Sequence, residues 1–136
     1  MQVYKFWILL LAFSLSFLAA CSERTKIVPE SELKKLPSQK LLELGAEKYS
    51  NMQYKDAIYY YSNVINLFHD DNDQDNESRA WATYEIGYIY FLQNNYNVAD
   101  PFFDEVLRMK SPTKAPQFLA SEMKDRIATK KQKQKK

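Results

Sequence analysis

Few residues in this chain carry side chains able to attack, shuttle a proton or bind a metal, and their spacing excludes most joint chemistry. There is one cysteine, Cys21, and one histidine, His69. A lone thiol forms no intramolecular disulfide, and a lone imidazole with no companion thiolates gives no zinc ligand set. No serine–histidine–acid pattern is present. The densest carboxylate run lies in His69–Ser78 (HDDNDQDNES). Counted from Asp71, it lacks the glycine at the sixth position and the glutamate at the twelfth that a calcium loop needs. It reads as a solvated linker, and pairs such as Asp104-Glu105 read as solvated helix surface. The two glycines stand 42 residues apart, so no glycine-rich phosphate loop exists. The expectation is a protein that is not an enzyme and holds no metal and no diffusible cofactor.

Cys21 differs from the rest because of what precedes it. Met1–Lys5 carries one positive charge, and the following 15 residues, Phe6–Ala20, carry none. A spanning helix needs about 20 apolar residues, so this run is short for one. A basic start, a brief apolar stretch and small residues at its end read as a secretory signal. Leu18-Ala19-Ala20-Cys21 resembles the lipobox of bacterial lipoproteins, in which the cysteine thiol is lipidated and the chain is cut just before it. Small side chains let a peptidase approach the backbone, and only a thiol supplies the sulfur of the thioether. The resemblance implies a signal peptide over 1–20 and a covalent lipid, palmitate among its chains, on Cys21. Each buried methylene adds about 0.8 kcal/mol, and several acyl chains on one cysteine make the anchor effectively permanent. Ser22 is not the aspartate that marks inner-membrane retention, so the expected location is the outer membrane, facing the periplasm.

The remainder is one domain's worth of chain. Cys21–Thr129 holds 13 basic against 17 acidic side chains, a net of −4, and the last seven residues (KKQKQKK) add five lysines. An acidic body with a basic end is not a nucleic-acid-binding profile. Residues 21–37 read as a polar tether, with room for one helical turn over Glu30–Leu36. Ser38 offers an N-cap, and Leu41, Leu42, Leu44 and Tyr49 then recur at helical spacing. After a break at Ser50-Asn51, a second helix is expected from about Tyr54, through Ala57, Ile58, Tyr61, Val64, Ile65 and Phe68. A third and fourth follow over Trp81–Met109. Ser111–Pro116 ends that region, and Gln117–Thr129 reads as a capping helix with Phe118, Leu119, Met123 and Ile127 on its apolar side. The expected fold is all-α over 38–129, with 130–136 a basic tail that frays into solvent.

The helical segments repeat. Placing Leu44-Gly45 on Ile86-Gly87 puts Tyr54 on Tyr96, Ala57 on Ala99, Tyr61 on Phe103 and Val64 on Val106. LGAEKYSNMQYKDAIYYYSNVINL and IGYIYFLQNNYNVADPFFDEVLRM both resemble the tetratricopeptide repeat, a helix–turn–helix of 34 residues. A small residue is needed where two helices touch, and an aromatic fills the wider gap beside them. The departures are Lys48, where Tyr90 keeps the aromatic, and the eight or so extra residues between repeats. In that family the first helix of each pair lines a concave groove. The resemblance therefore implies a partner-binding groove at Leu42, Ala46 and Tyr49, and at Trp81, Tyr84, Tyr88 and Phe91. The competing assignment for any one of these rings is core packing. Repeats that grip a terminal carboxylate use lysine and asparagine where Leu42, Ala46, Tyr84 and Tyr88 stand here, so that mode is not expected.

With the lipobox, a tether containing Val28-Pro29 and repeats soon afterward, the chain is similar to the BamD family, repeat lipoproteins of the outer-membrane β-barrel assembly machine. Those proteins carry several further repeats, and the contacts those make would be missing here. The resemblance implies a membrane-anchored protein-interaction scaffold whose partner is another protein, an outer-membrane β-barrel assembly component, and not nucleic acid. Two other roles fit the same pattern: a pilot lipoprotein for a secretion or pilus subunit, and a ligand-binding accessory of a transporter.

Overall fold

Prolines set the first two helix starts. In the computed structural model, which describes residues 26–69 and 72–134, Pro29 precedes the single turn α1 (Glu30–Leu33) and Pro37 precedes α2 (Ser38–Ser50). Both have extended backbone (ψ 150° and 154°), a conformation that a fixed proline φ favours just outside a helix. The signal peptide and Cys21 lie outside the described residues. The order continues with α3 (Tyr54–Leu67), α4 (Asp73–Leu92), α5 (Tyr96–Arg108) and α6 (Ala115–Gln134). The architecture is all-α, and among the described residues no helix is long and apolar enough to cross a membrane.

Four expectations need correcting. Ser38 is not an N-cap but the first residue of α2. Its buried hydroxyl donates to the Asp75 carboxylate and lies 3.1 Å from Ser78 Oγ, tying α2 to α4. The acidic linker is shorter than expected, because Asp73–Ser78 forms the first turns of α4. Asn72 caps them, its side chain accepting from the Asp75 amide at 2.8 Å, and Asp73 and Asp75 face the positive end of the helix dipole. The basic end does not fray at Thr129: α6 runs to Gln134, and Lys131 reaches Asp100 at 3.4 Å. Phe118 is not part of the capping face but 71 % exposed; Pro116, Ala120, Met123 and Ile127 are the buried residues of α6.

The segment expected as a free tether is docked from Val28 onward. The Val28 amide donates to the Tyr60 hydroxyl and its carbonyl accepts from the Tyr59 hydroxyl, both at 3.0 Å. Leu33 is fully buried, and Leu36 packs on the same cluster.

Two helical hairpins, α2–α3 and α4–α5, share a construction at positions 42 residues apart. Gly45 lies against the Tyr61 ring and Gly87 against the Phe103 ring. Ala57 and Ala99, like Val64 and Val106, are fully buried. Each first helix ends in the same way. The Met52 and Gln53 amides donate to the Tyr49 and Lys48 carbonyls (both 2.9 Å), and the Asn94 and Asn95 amides to those of Phe91 and Tyr90 (both 2.9 Å). This is the Schellman arrangement, and its left-handed residue is Met52 (φ 58°) in one hairpin and Asn94 (φ 60°) in the other. Aromatic pairs brace the two turns alike: Tyr49 and Tyr54 have ring centroids 5.8 Å apart, Phe91 and Tyr96 5.4 Å.

Helix α4 lies between two cores. Ala82, Ile86 and Ile89 face a cluster with Leu33, Leu41, Tyr60 and Tyr61, while Tyr84 joins Phe103, Met123 and Ile127. The second cluster is covered by α6, fastened to α5 by Lys124, which reaches Asp100 (2.8 Å) and Asp104 (2.7 Å). The hydrogen bond from Lys124 holds the Asp100 carboxyl below the usual carboxylate range.

Candidate functional site

The spacing of aromatics along α4 builds the candidate site. Trp81, Tyr84, Tyr88 and Phe91 follow at intervals of three, four and three residues, which places them on one helix face. Their rings run on continuously. Trp81 meets Tyr84 edge-on with centroids 6.0 Å apart, Tyr84 stacks on Tyr88 at 6.0 Å, and Tyr88 on Phe91 at 6.4 Å. From α2, Tyr49 joins the row 6.4 Å from Tyr88. Ala46 is exposed beside it, and Leu42 is half-buried. The α2 and α4 helices run side by side in the same direction here, since Ser38 meets Asp75 and Ser78 near one end and Tyr49 meets Tyr88 near the other.

The expected groove residues thus divide. Tyr49, Trp81, Tyr88 and Phe91 are half-buried and form the face, with Tyr49 and Phe91 directly beside Tyr88 and Trp81 joined to it through Tyr84. Tyr84 is chiefly a core residue, 8 % exposed with its ring 5.7 Å from that of Phe103. The reason is its position: α6 packs over this part of α4 and covers it. Leu42 and Trp81 together border a cavity of about 530 Å³ at the α4 amino-terminal end, with Gln39, Asp73, Glu77 and Pro112 around it.

Sequence reading missed the charges in this face. Glu85 follows Tyr84, makes no hydrogen bond or ion pair among the described residues, and is held above the usual glutamate range by burial. Its carboxylate acts on the hydroxyls of Tyr49, Tyr61 and Tyr84. Burial first, then Glu85, pushes the Tyr84 hydroxyl up to about 12. Glu122 and Arg126 of α6, paired at 2.7 Å, act on Tyr84 from the other side. A helical wheel of α4 would have put Glu85 at the edge of the aromatic row, so its position was readable. The contribution of α6 was not, because it depends on how that helix docks.

Chemically, the face offers ring surface, aliphatic surface and unpaired carboxylate, with no nucleophile beside a base. Among the described residues no three metal-ligating side chains come together. The sequence matches no protein-family model and no curated protein, and the fold matches no solved structure.

Proposed function

We propose that this chain is a membrane-anchored interaction scaffold, a lipoprotein whose helical hairpins are tetratricopeptide-type repeats and whose work is to hold other proteins. The observation that carries the reading is the recurrence, 42 residues apart, of glycine on aromatic, buried alanine, and Schellman turn braced by an aromatic pair. That recurrence fits the repeat resemblance of the sequence, and the half-buried row of Trp81, Tyr88, Phe91 and Tyr49 fits a binding face. Aromatics supply large contact area for little entropy, which is why they dominate the energetics of protein interfaces. The lipobox at Leu18–Cys21 supports anchoring. The role assigned is binding and not catalysis.

Within that class, the reading we favour is a BamD-like lipoprotein subunit of outer-membrane β-barrel assembly, lipid-anchored in the outer membrane and facing the periplasm. The Val28-Pro29 segment and the early repeats support it.

Mild cross-linking followed by immunoprecipitation tests the assignment. Recovery of a large β-barrel assembly protein is the expected result. Recovery of a secretin in its place supports the pilot role, and neither, together with a thermal shift from small ligands, supports the transporter accessory. Trp81→Ala combined with Tyr88→Ala should abolish partner recovery; unchanged recovery removes the aromatic face from the mechanism. Cys21→Ala should lose acyl labelling and release the protein from membranes.

A further inference from the structure

A different side of α4 from the aromatic row carries a second concave feature. Arg79 and Thr83, one helical turn apart, form the base of a trough of about 360 Å³ between α3 and α5. Its walls are Ile65 of α3, Pro101 and Phe102 of α5 and Met109 just past the end of α5, with Glu105 at the rim held by Arg108 at 2.6 Å. An adjoining hollow of about 290 Å³ shares Arg79 and Met109 and adds Asn76 and Lys110.

The cation at the junction is unsatisfied. Arg79 Nε is fully removed from solvent and has no hydrogen-bond partner. Arg108 and Arg126 are ion-paired, whereas Arg79 makes no ion pair among the described residues, and neither does Lys110. Nothing of water size reaches Nε, so a ligand cannot pair there; the two terminal nitrogens, with no hydrogen bond among the described residues and not removed from solvent, are where an anion can pair with the guanidinium. The trough is walled by side chains, chiefly Ile65, Pro101, Phe102 and Met109. It offers apolar surface leading to a guanidinium, with a lysine beyond.

We propose that this trough binds a single-chain anionic amphiphile, a fatty-acid carboxylate, with its acyl chain along Ile65, Phe102 and Met109 and its head on Arg79 and Lys110. The chain gains by removing apolar surface from water, and the head by bidentate pairing with a guanidinium. The site is separate from the aromatic face and does not depend on the scaffold role.

The test uses the full-length chain in phosphatidylcholine nanodiscs, following the Arg79 Nε–H resonance and the Met109 methyl resonance. Decanoate is titrated against two controls, decanol (the chain without the charge) and acetate (the charge without the chain). The expected result is a saturable shift with decanoate at a Kd at least tenfold below either control. Arg79→Gln, read at the Met109 methyl, should weaken decanoate at least tenfold. Ile65→Trp, which fills the trough and keeps the cation, should do the same, read at Arg79. Acetate matching decanoate would mean a bare anion site, and decanol matching it an uncharged apolar one; either overturns the proposal. So does decanoate binding unchanged in Arg79→Gln with the melting temperature retained.

Discussion

The two hairpins solve one packing problem with different residues, and the difference shows which positions are dictated by geometry. Where two helices touch, both have glycine. Where the partner ring must sit, one has Tyr61 and the other Phe103, each almost fully buried. Elsewhere the pair diverges: Lys48 stands for Tyr90, Leu41 for Thr83, and Met52 for Asn94. Positions fixed by a ring pressed against the helix backbone are shared, and those that answer to local surroundings are free to drift. Lys48 is 2 % exposed, so even a charged residue has been accommodated where the other hairpin uses an aromatic.

The sharpest break in the comparison comes from removing the rings. Phe103→Ala and Tyr61→Ala should each cost about 3–5 kcal/mol, because a large side chain is lost from a packed core that collapses only in part. Urea unfolding measures both. Phe103→Ala should also disturb the aromatic face, since its ring contacts Tyr84, and Trp fluorescence from Trp81 should report that change. If the two losses differ by more than twofold, the hairpins are not equivalent in the way their shared positions imply.

The glycines separate the hairpins next. A Cβ on Gly45 would come within 2.9 Å of three carbons of the buried Tyr61 ring, whereas one on Gly87 would meet Phe102 and Phe103 at 3.0–3.2 Å. Overpacking costs about 1–3 kcal/mol, against about 1 kcal/mol gained in helix propensity from glycine to alanine. Gly45→Ala should therefore destabilise clearly, while Gly87→Ala stays within about 1 kcal/mol of the parent. A greater loss for Gly87→Ala would refute the close-packing account.

Much of this was legible in the sequence. Leu44-Gly45 on Ile86-Gly87 located both hairpins, and helical spacing found α2, α3 and α5 with their starts nearly right. What was missed has physical causes. Asn72 as a cap turns an acidic run into helix, and the gain depends on a short local contact that periodicity does not register. The docking of Val28 and Leu33, the helical course of the lysine end, and the exposure of Phe118 all depend on which neighbour covers which face. The aromatic row was named from the repeat resemblance, which places the first helix of each pair along the groove. Its carboxylate was within reach of a helical wheel and was overlooked, whereas the Arg79 trough depends on how α3 and α5 flank α4, which no local pattern shows.

Glu85 distinguishes the hairpins electrostatically, since the corresponding position 42 residues earlier is Glu43, exposed and paired with Lys40 at 3.0 Å. Burial raises the Glu85 pKa above its ordinary 4.5, so the folded state holds the proton more tightly than the unfolded chain. Stability then falls as pH rises from about 4.5 through the folded value, and the ionised group is a liability at neutral pH. Glu85→Gln should raise the melting temperature at pH 7 and leave it nearly unchanged at pH 4. Glu43→Gln should show no such gain. Equal behaviour of the two variants, or a fall for Glu85→Gln at pH 7, would show that Glu85 is compensated after all.

The smallest effects expected are at the turns, where the backbone is shared and the side chains differ. Met52 and Asn94 occupy the same left-handed position at nearly the same φ, 58° and 60°. A side chain there costs about 1–2 kcal/mol, less for asparagine, whose short polar group tolerates the conformation. Met52 is 77 % exposed, so replacing it sacrifices almost no packing. Glycine removes the steric cost but loses more entropy on folding, by roughly 0.5–1 kcal/mol. Met52→Gly should therefore stabilise by about 0.5–1 kcal/mol, whereas Asn94→Gly, which also removes the oxygen that accepts from the Tyr96 hydroxyl at 2.8 Å, should gain nothing or lose about 1 kcal/mol. The backbone hydrogen bonds around the two turns match in length, so a difference between the variants reports the side chain replaced, the Asn94–Tyr96 hydrogen bond included. Equal gains at both positions would mean that asparagine has no advantage in this turn, and that the divergence from Met52 to Asn94 has no energetic basis.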